Sequence, residues 1–99
     1  MPKGYWIVRA DVHNPEAYRA YVAANETAFR KYGARRLVRS GRSETMEGRS
    51  RARNVVIEFR DYETALACYR SDEYQQAMAL RLAHSEAELI IIEGYDTSS

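Results

Sequence analysis

The chain carries a single cysteine, Cys68, in 99 residues, which excludes an internal disulfide and any multi-cysteine metal cluster. Its two histidines, His13 and His84, lack the four-residue helical pairing of a zinc site, so no metal is expected. No apolar run approaches the roughly 20 residues that a membrane helix needs. There is no glycine-rich phosphate loop, no serine elbow and no Cys-His arrangement, which leaves nucleotide cradling and acyl-enzyme chemistry without support. Haem would need an axial ligand, for which only His84 is a weak candidate, so no cofactor is expected. The opening Met1-Pro2-Lys3-Gly4 lacks the basic flank, apolar core and cleavage site of a signal peptide. A cytoplasmic protein without a membrane partner is the expectation.

What the chain does have is the composition of a folded domain, 45% hydrophobic and 29% charged. Its length fits one core, expected over residues 1–96 with a frayed polar tail at 97–99, and a monomer this small is marginal. Thirteen of the 15 basic residues are arginine, and seven of these fall between positions 35 and 53. The 14 acidic residues are interspersed, Glu44 and Glu47 among the arginines, so a nucleic-acid partner is not expected.

Residues 5–12 are β-branched and aromatic and stop at His13-Asn14-Pro15, which predicts a strand. Asn14 then caps a helix that has Pro15 in its first turn, and Tyr18, Tyr21, Val22, Asn25, Ala28, Phe29 and Tyr32 share one face before Gly33. Arg36–Arg39 form a short second strand, expected to bend at Gly41, to resume over Ser43–Glu47 and to turn at Glu47–Ser50. Asn54–Phe59 is a third strand. Asp61 caps a helix bearing Tyr62, Ala65, Leu66 and Tyr69. Ser71 caps another with Tyr74, Ala77, Met78, Arg81 and Leu82 on one stripe, and Leu89–Tyr95 is the last strand.

This order predicts an α+β fold, ferredoxin-like βαββαβ, with a four-stranded antiparallel sheet and its helices on one face. Strand parity then divides the side chains. Trp6, Val8, Ala10, Val12, Val55, Ile57, Phe59, Ile90 and Ile92 are assigned to the helix side. Tyr5, Ile7, Arg9, Asp11, Leu37, Arg39, Asn54, Val56, Glu58, Leu89, Ile91 and Glu93 are assigned to the open face. Apolar residues on both parities imply that both faces are covered. A homodimer formed through the open face is therefore expected.

Gly4-Tyr5-Trp6-Ile7, Asn14-Pro15-Glu16-Ala17-Tyr18, Tyr32-Gly33-Ala34-Arg35, Arg53–Phe59, Cys68-Tyr69-Arg70-Ser71, Glu73-Tyr74-Gln75 and Ile92-Glu93-Gly94-Tyr95-Asp96 together resemble the bacterial domain-of-unknown-function family 1330. The resemblance spans nearly the whole chain and implies the dimeric α/β barrel superfamily, which contains cofactor-free monooxygenases among other enzymes. It implies no particular reaction. Arg36, Ser40 and Arg60-Asp61 depart from the family pattern.

Glu58 and Glu93 are candidate proton shuttles on the open face, with pairing to Arg9 and Arg39 the favoured reading. Arg81, on an otherwise apolar stripe with Tyr74, is a candidate carboxylate anchor, equally readable as a snorkelling or ion-paired side chain. His84, near the same mouth, is a weaker candidate base. Tyr5 is the one aromatic that parity places on the open face. These residues suggest a pocket for a small anionic ligand, either an organic acid or an enolisable substrate of a cofactor-free enzyme. The alternative is a non-catalytic dimeric binding or structural module with no reaction of its own.

Overall fold

A computed structural model describes residues 2–96; the tail expected at 97–99 lies outside the described residues. Alternation builds the two central strands. In β1 (Gly4–Val12) Trp6, Val8 and Ala10 are buried while Ile7 is 37% exposed, and in β3 (Arg53–Phe59) Val55, Ile57 and Phe59 are buried. With β2 (Arg35–Arg39) and β4 (Ser85–Glu93) they form an antiparallel sheet ordered β2-β3-β1-β4. The fold is α+β and ferredoxin-like.

Helix α1 (Pro15–Lys31) starts where predicted, with the Asn14 side chain accepting the Ala17 N–H at 3.2 Å. Its end is followed by Gly33 at φ 69°, a left-handed geometry that suits glycine. Asp61 caps α2 (Tyr62–Arg70), and Ser71 caps α3 (Asp72–Leu82). All three helices cover one face of the sheet. Trp6 is the centre of the layer between them, fully buried and edge-on to Phe29, Tyr69 and Tyr74, with its indole N–H donated to the Ala65 carbonyl at 2.9 Å. Gly4 has no room for a side chain, because a Cβ there would stand 2.4 Å from the Asp61 carbonyl oxygen.

Four expectations are corrected. The second strand does not resume after Arg39. Ser40 takes a positive φ of 53° and donates its N–H to the Asn54 carbonyl, and residues 41–52 form an exposed loop without a strand. The parity of β4 is inverted: Ile91 pairs with Trp6 and Leu89 with Val8, so these two face the helices, while Ile90 and Ile92 are 50% and 44% exposed on the open face. The parity of β2 is displaced by an irregularity between Arg36 and Val38, which puts Arg36 and Arg39 on the helix side and Arg35 and Val38 on the open face. Leu82 also leaves the buried stripe of α3, at 59% exposure.

Candidate functional site

The paired registers sort the open face into rows. Val38, Val56, Ile7 and Ile90 make an aliphatic row across all four strands, next to a row of Arg35, Glu58, Tyr5 and Ile92. The Tyr5 hydroxyl donates to Glu58 at 3.2 Å, and partial desolvation together with that carboxylate holds the phenol above its ordinary range. On the other side of the aliphatic row the loop returns to the sheet. Arg51 donates to Asp11 at 2.8 Å and Glu88 at 2.9 Å, reaches Glu86 at 3.4 Å, and Arg9 donates to the Arg49 carbonyl at 2.9 Å. Asp11 is held below the usual carboxylate range by the Ala52 N–H and then by Arg51, and Glu88 by Arg51. Arg51 is thus shared by three carboxylates, while Arg9 is held by a backbone carbonyl.

The helix side is different. Between α1 and the strand ends of β2, β3 and β1 lies an open cleft of about 990 Å³, whose walls include Tyr18, Arg19, Val22, Glu26, Arg39 and Arg53. An inner slot of about 30 Å³ shares Tyr18, Val22, Arg39 and Arg53 with it and is backed by Trp6 and Phe29. Glu26 is already taken by Arg36, which crosses from β2, donates also to Asn25 at 3.3 Å and lies 5.0 Å over the Phe29 ring. Arg19 and Arg39 have no carboxylate partner among the described residues, and neither has Arg53. The Arg53 guanidinium lies 5.2 Å over the Tyr18 ring, with its buried Nε unpartnered. Burial raises the Tyr18 hydroxyl above its ordinary range, Tyr21 adds to this, and Arg53 and Arg81 oppose it.

The residues singled out from the sequence therefore fall into separate places. Tyr5, Arg9 and Glu58 are on the open face as expected. Arg39 and Glu93 are not. Arg39 pairs with Val55 and borders the cleft, whereas Glu93 lies opposite Gly4 at the exposed end of β4, on the helix-side parity. The pairing of Glu58 and Glu93 with Arg9 and Arg39 does not form. Tyr74 and Arg81 are together in the core, Arg81 donating to the Tyr74 hydroxyl at 3.4 Å. His84 is half-buried at the end of α3, where its carbonyl accepts the His13 N–H. Sequence spacing does not single out the cleft residues Tyr18, Arg19, Glu26 and Arg53, since Tyr18 matches the core spacing of α1 and Arg53 closes a run of arginines.

Among the described residues no cluster of three or more His, Cys, Asp or Glu could hold a metal ion, and no helix is long and apolar enough to cross a membrane. The model of a family described as a domain of unknown function, DUF1330, matches residues 3–95. The chain belongs to the DUF1330 family. No curated protein matches this DUF1330 chain. Among solved structures it is similar to RPA0582 from Rhodopseudomonas palustris, a protein of unknown function, with a TM-score of 0.78 at 15% identity over 96% of this chain and 84% of that one. It is similar to SnoaB from Streptomyces nogalater, a cofactor-independent oxygenase, with a TM-score of 0.62 at 14% identity over 98% and 97% of the two chains. A protein from Nitrosomonas europaea, provisionally named an antibiotic biosynthesis monooxygenase, gives 0.64 at 19% identity over 94% and 99%. At these identities the likeness establishes the fold of this DUF1330 domain and not its chemistry.

Proposed function

We propose that this DUF1330 domain binds a small organic acid in the cleft between α1 and the sheet, and acts on it as a cofactor-free enzyme if the acid is enolisable. One observation carries the reading: Arg19, Arg39 and Arg53 line one cleft without carboxylate partners among the described residues, while the wall's carboxylate, Glu26, is held by Arg36. Planar guanidinium forks match carboxylates, and Ala10, Val12 and Val22 offer an apolar wall for the rest of the ligand. Guanidinium groups beside a carbonyl also favour negative charge that develops on its oxygen. The oxygenase activity of SnoaB agrees with this reading by analogy of fold alone.

A panel of small organic acids, read by thermal shift on the wild type and on Arg53→Met, tests it. At least one acid is expected to raise the wild-type melting temperature and to lose most of that effect in the variant. Equal shifts in both proteins, or none in either, would overturn the reading.

A partner is inferred from a second observation. The aliphatic row Val38–Val56–Ile7–Ile90 runs unbroken across the open face, and Ile7, Val38 and Ile90 are 37%, 42% and 50% exposed. We infer that a second copy covers this row, since an exposed apolar surface on a chain this small is best hidden by an isologous contact. The competing reading, a non-catalytic dimeric binding or structural module, rests on this row and requires that no reaction follows any binding.

A further inference from the structure

We propose that Tyr18 is the proton-transferring residue of the cleft, acting on an enolisable acid held by Arg53, and that Arg81 is a positioning residue beneath it. This rests on the cleft reading and deepens it.

Arg81 is 6% exposed on α3, its Nε is unpartnered, and no carboxylate pairs with it among the described residues. A buried cation without a counter-ion is costly, so its surroundings must explain it. Those surroundings are phenols. The Arg81 guanidinium lies 5.4 Å over the Tyr21 ring and donates to the Tyr74 hydroxyl at 3.4 Å, and the Tyr21 and Tyr74 hydroxyls are 2.9 Å apart. The Tyr18 and Tyr21 rings are 5.2 Å apart, and Arg53 covers Tyr18 from β3. Tyr18 is thus the outermost phenol of a chain, at the wall of both cavities, with one guanidinium at the cleft side and another in the core.

This arrangement suits a group that must give up a proton and take it back. Burial and the neighbouring Tyr21 keep Tyr18 protonated at rest, while Arg53 and Arg81 both favour its charged form. The other charged groups lining the two cavities are Arg36 and Arg39 on β2 and Arg19 and Glu26 on α1, Glu26 being held by Arg36. In the forward step the electron pair of a bound enolate's C=C bond takes the Tyr18 hydroxyl proton. The O–H bond breaks, a Cα–H bond forms, the carbonyl is restored, and a water molecule reprotonates the phenolate and leaves as hydroxide. In reverse hydroxide takes the Tyr18 hydroxyl proton and becomes water, and the phenolate so formed removes the Cα proton and leaves the enolate beside Arg53.

The test is exchange of the C3 protons of 2-oxobutanoate in D2O, followed by proton NMR, with binding of the same acid read by thermal shift. The wild type is expected to accelerate exchange, and Tyr18→Phe to lose at least about 100-fold of the rate while binding and melting temperature are kept. Removing a cation raises the phenol's pKa, so Arg81→Met lowers the rate about tenfold and moves its rise with pH upward. Arg81→Lys is expected to restore both, which a purely structural role for Arg81 does not predict. Wild-type rates in Tyr18→Phe overturn the assignment, and so does binding without exchange in the wild type. Neither binding nor exchange removes the cleft reading along with it.

Discussion

Arg51 donates to Asp11 at 2.8 Å and so fastens the exposed loop after β2 to the open face of β1. The same guanidinium bonds Glu88 at 2.9 Å, and Asp11 also accepts the Ala52 N–H at 2.9 Å. Both carboxylates are held below their ordinary values, so the unfolded chain binds the proton more readily than the native one. Their stabilisation is therefore present above the unfolded carboxylate range, about 3.9 to 4.3, and is lost as pH falls through the lower native values. Urea unfolding from pH 7 down to pH 3 is expected to show this loss in the wild type. In Arg51→Ala the acid limb flattens. An identical pH dependence in the two proteins would refute the linkage.

Pairing of two copies makes its own prediction. Ile7 lies at the middle of the aliphatic row, between Val56 and Ile90. Ile7→Lys would place a charge in the contact twice over, once from each copy, without a partner for either. Light scattering is expected to give a dimer mass for the wild type and a monomer mass for Ile7→Lys. Leu82→Lys, on the helix layer at 59% exposure, is the control that keeps the dimer. A monomeric wild type ends the proposal.

Ser71 joins two helices and is predicted to matter beyond its size. Its hydroxyl donates to the Cys68 carbonyl at 2.7 Å, closing α2, and accepts the Tyr74 N–H at 3.1 Å, opening α3. Ser71→Ala leaves the Tyr74 N–H unmet at a buried corner and the Cys68 carbonyl with only the backbone N–H of residue 71, at a cost of about 1–2 kcal/mol. Urea denaturation reads it, and Ser71→Thr is expected to recover most of the loss.

How much of this was legible depends on how cleanly each strand alternates. Trp6-Ile7-Val8-Arg9 and Val55-Val56-Ile57-Glu58 carry charges on one parity, so the sequence alone marks the faces of β1 and β3. Leu89-Ile90-Ile91-Ile92 carries none, and the run itself contains no phase. The phase was upstream, where Glu86 and Glu88 alternate with Ala87, and carrying it forward turns Leu89 and Ile91 inward. In β2 the irregularity after Arg36 resets the faces, and nothing in Arg-Leu-Val-Arg announces it. Arg81 stood out as the charge on an apolar stripe, and the structure buries it. Tyr18 and Arg53 were indistinguishable from core and surface, because a cleft between a helix and a sheet is made of contacts distant in sequence.

Cys68 supplies the last prediction, one about reactivity. It is fully buried, and burial, with a smaller contribution from Glu73, pushes its thiol up to about 12. The thiolate is the form that attacks an alkylating reagent, so the native protein must open before the sulfur reacts. Iodoacetamide at pH 8 is expected to leave native Cys68 largely unmodified over the time in which the urea-unfolded chain is fully labelled, read by intact mass. The native rate should then follow stability: Ser71→Ala, which loosens the turn directly after Cys68, should label faster at the same pH. Rapid labelling of the folded wild type would show that the helix layer over Cys68 opens far more often than its packing implies.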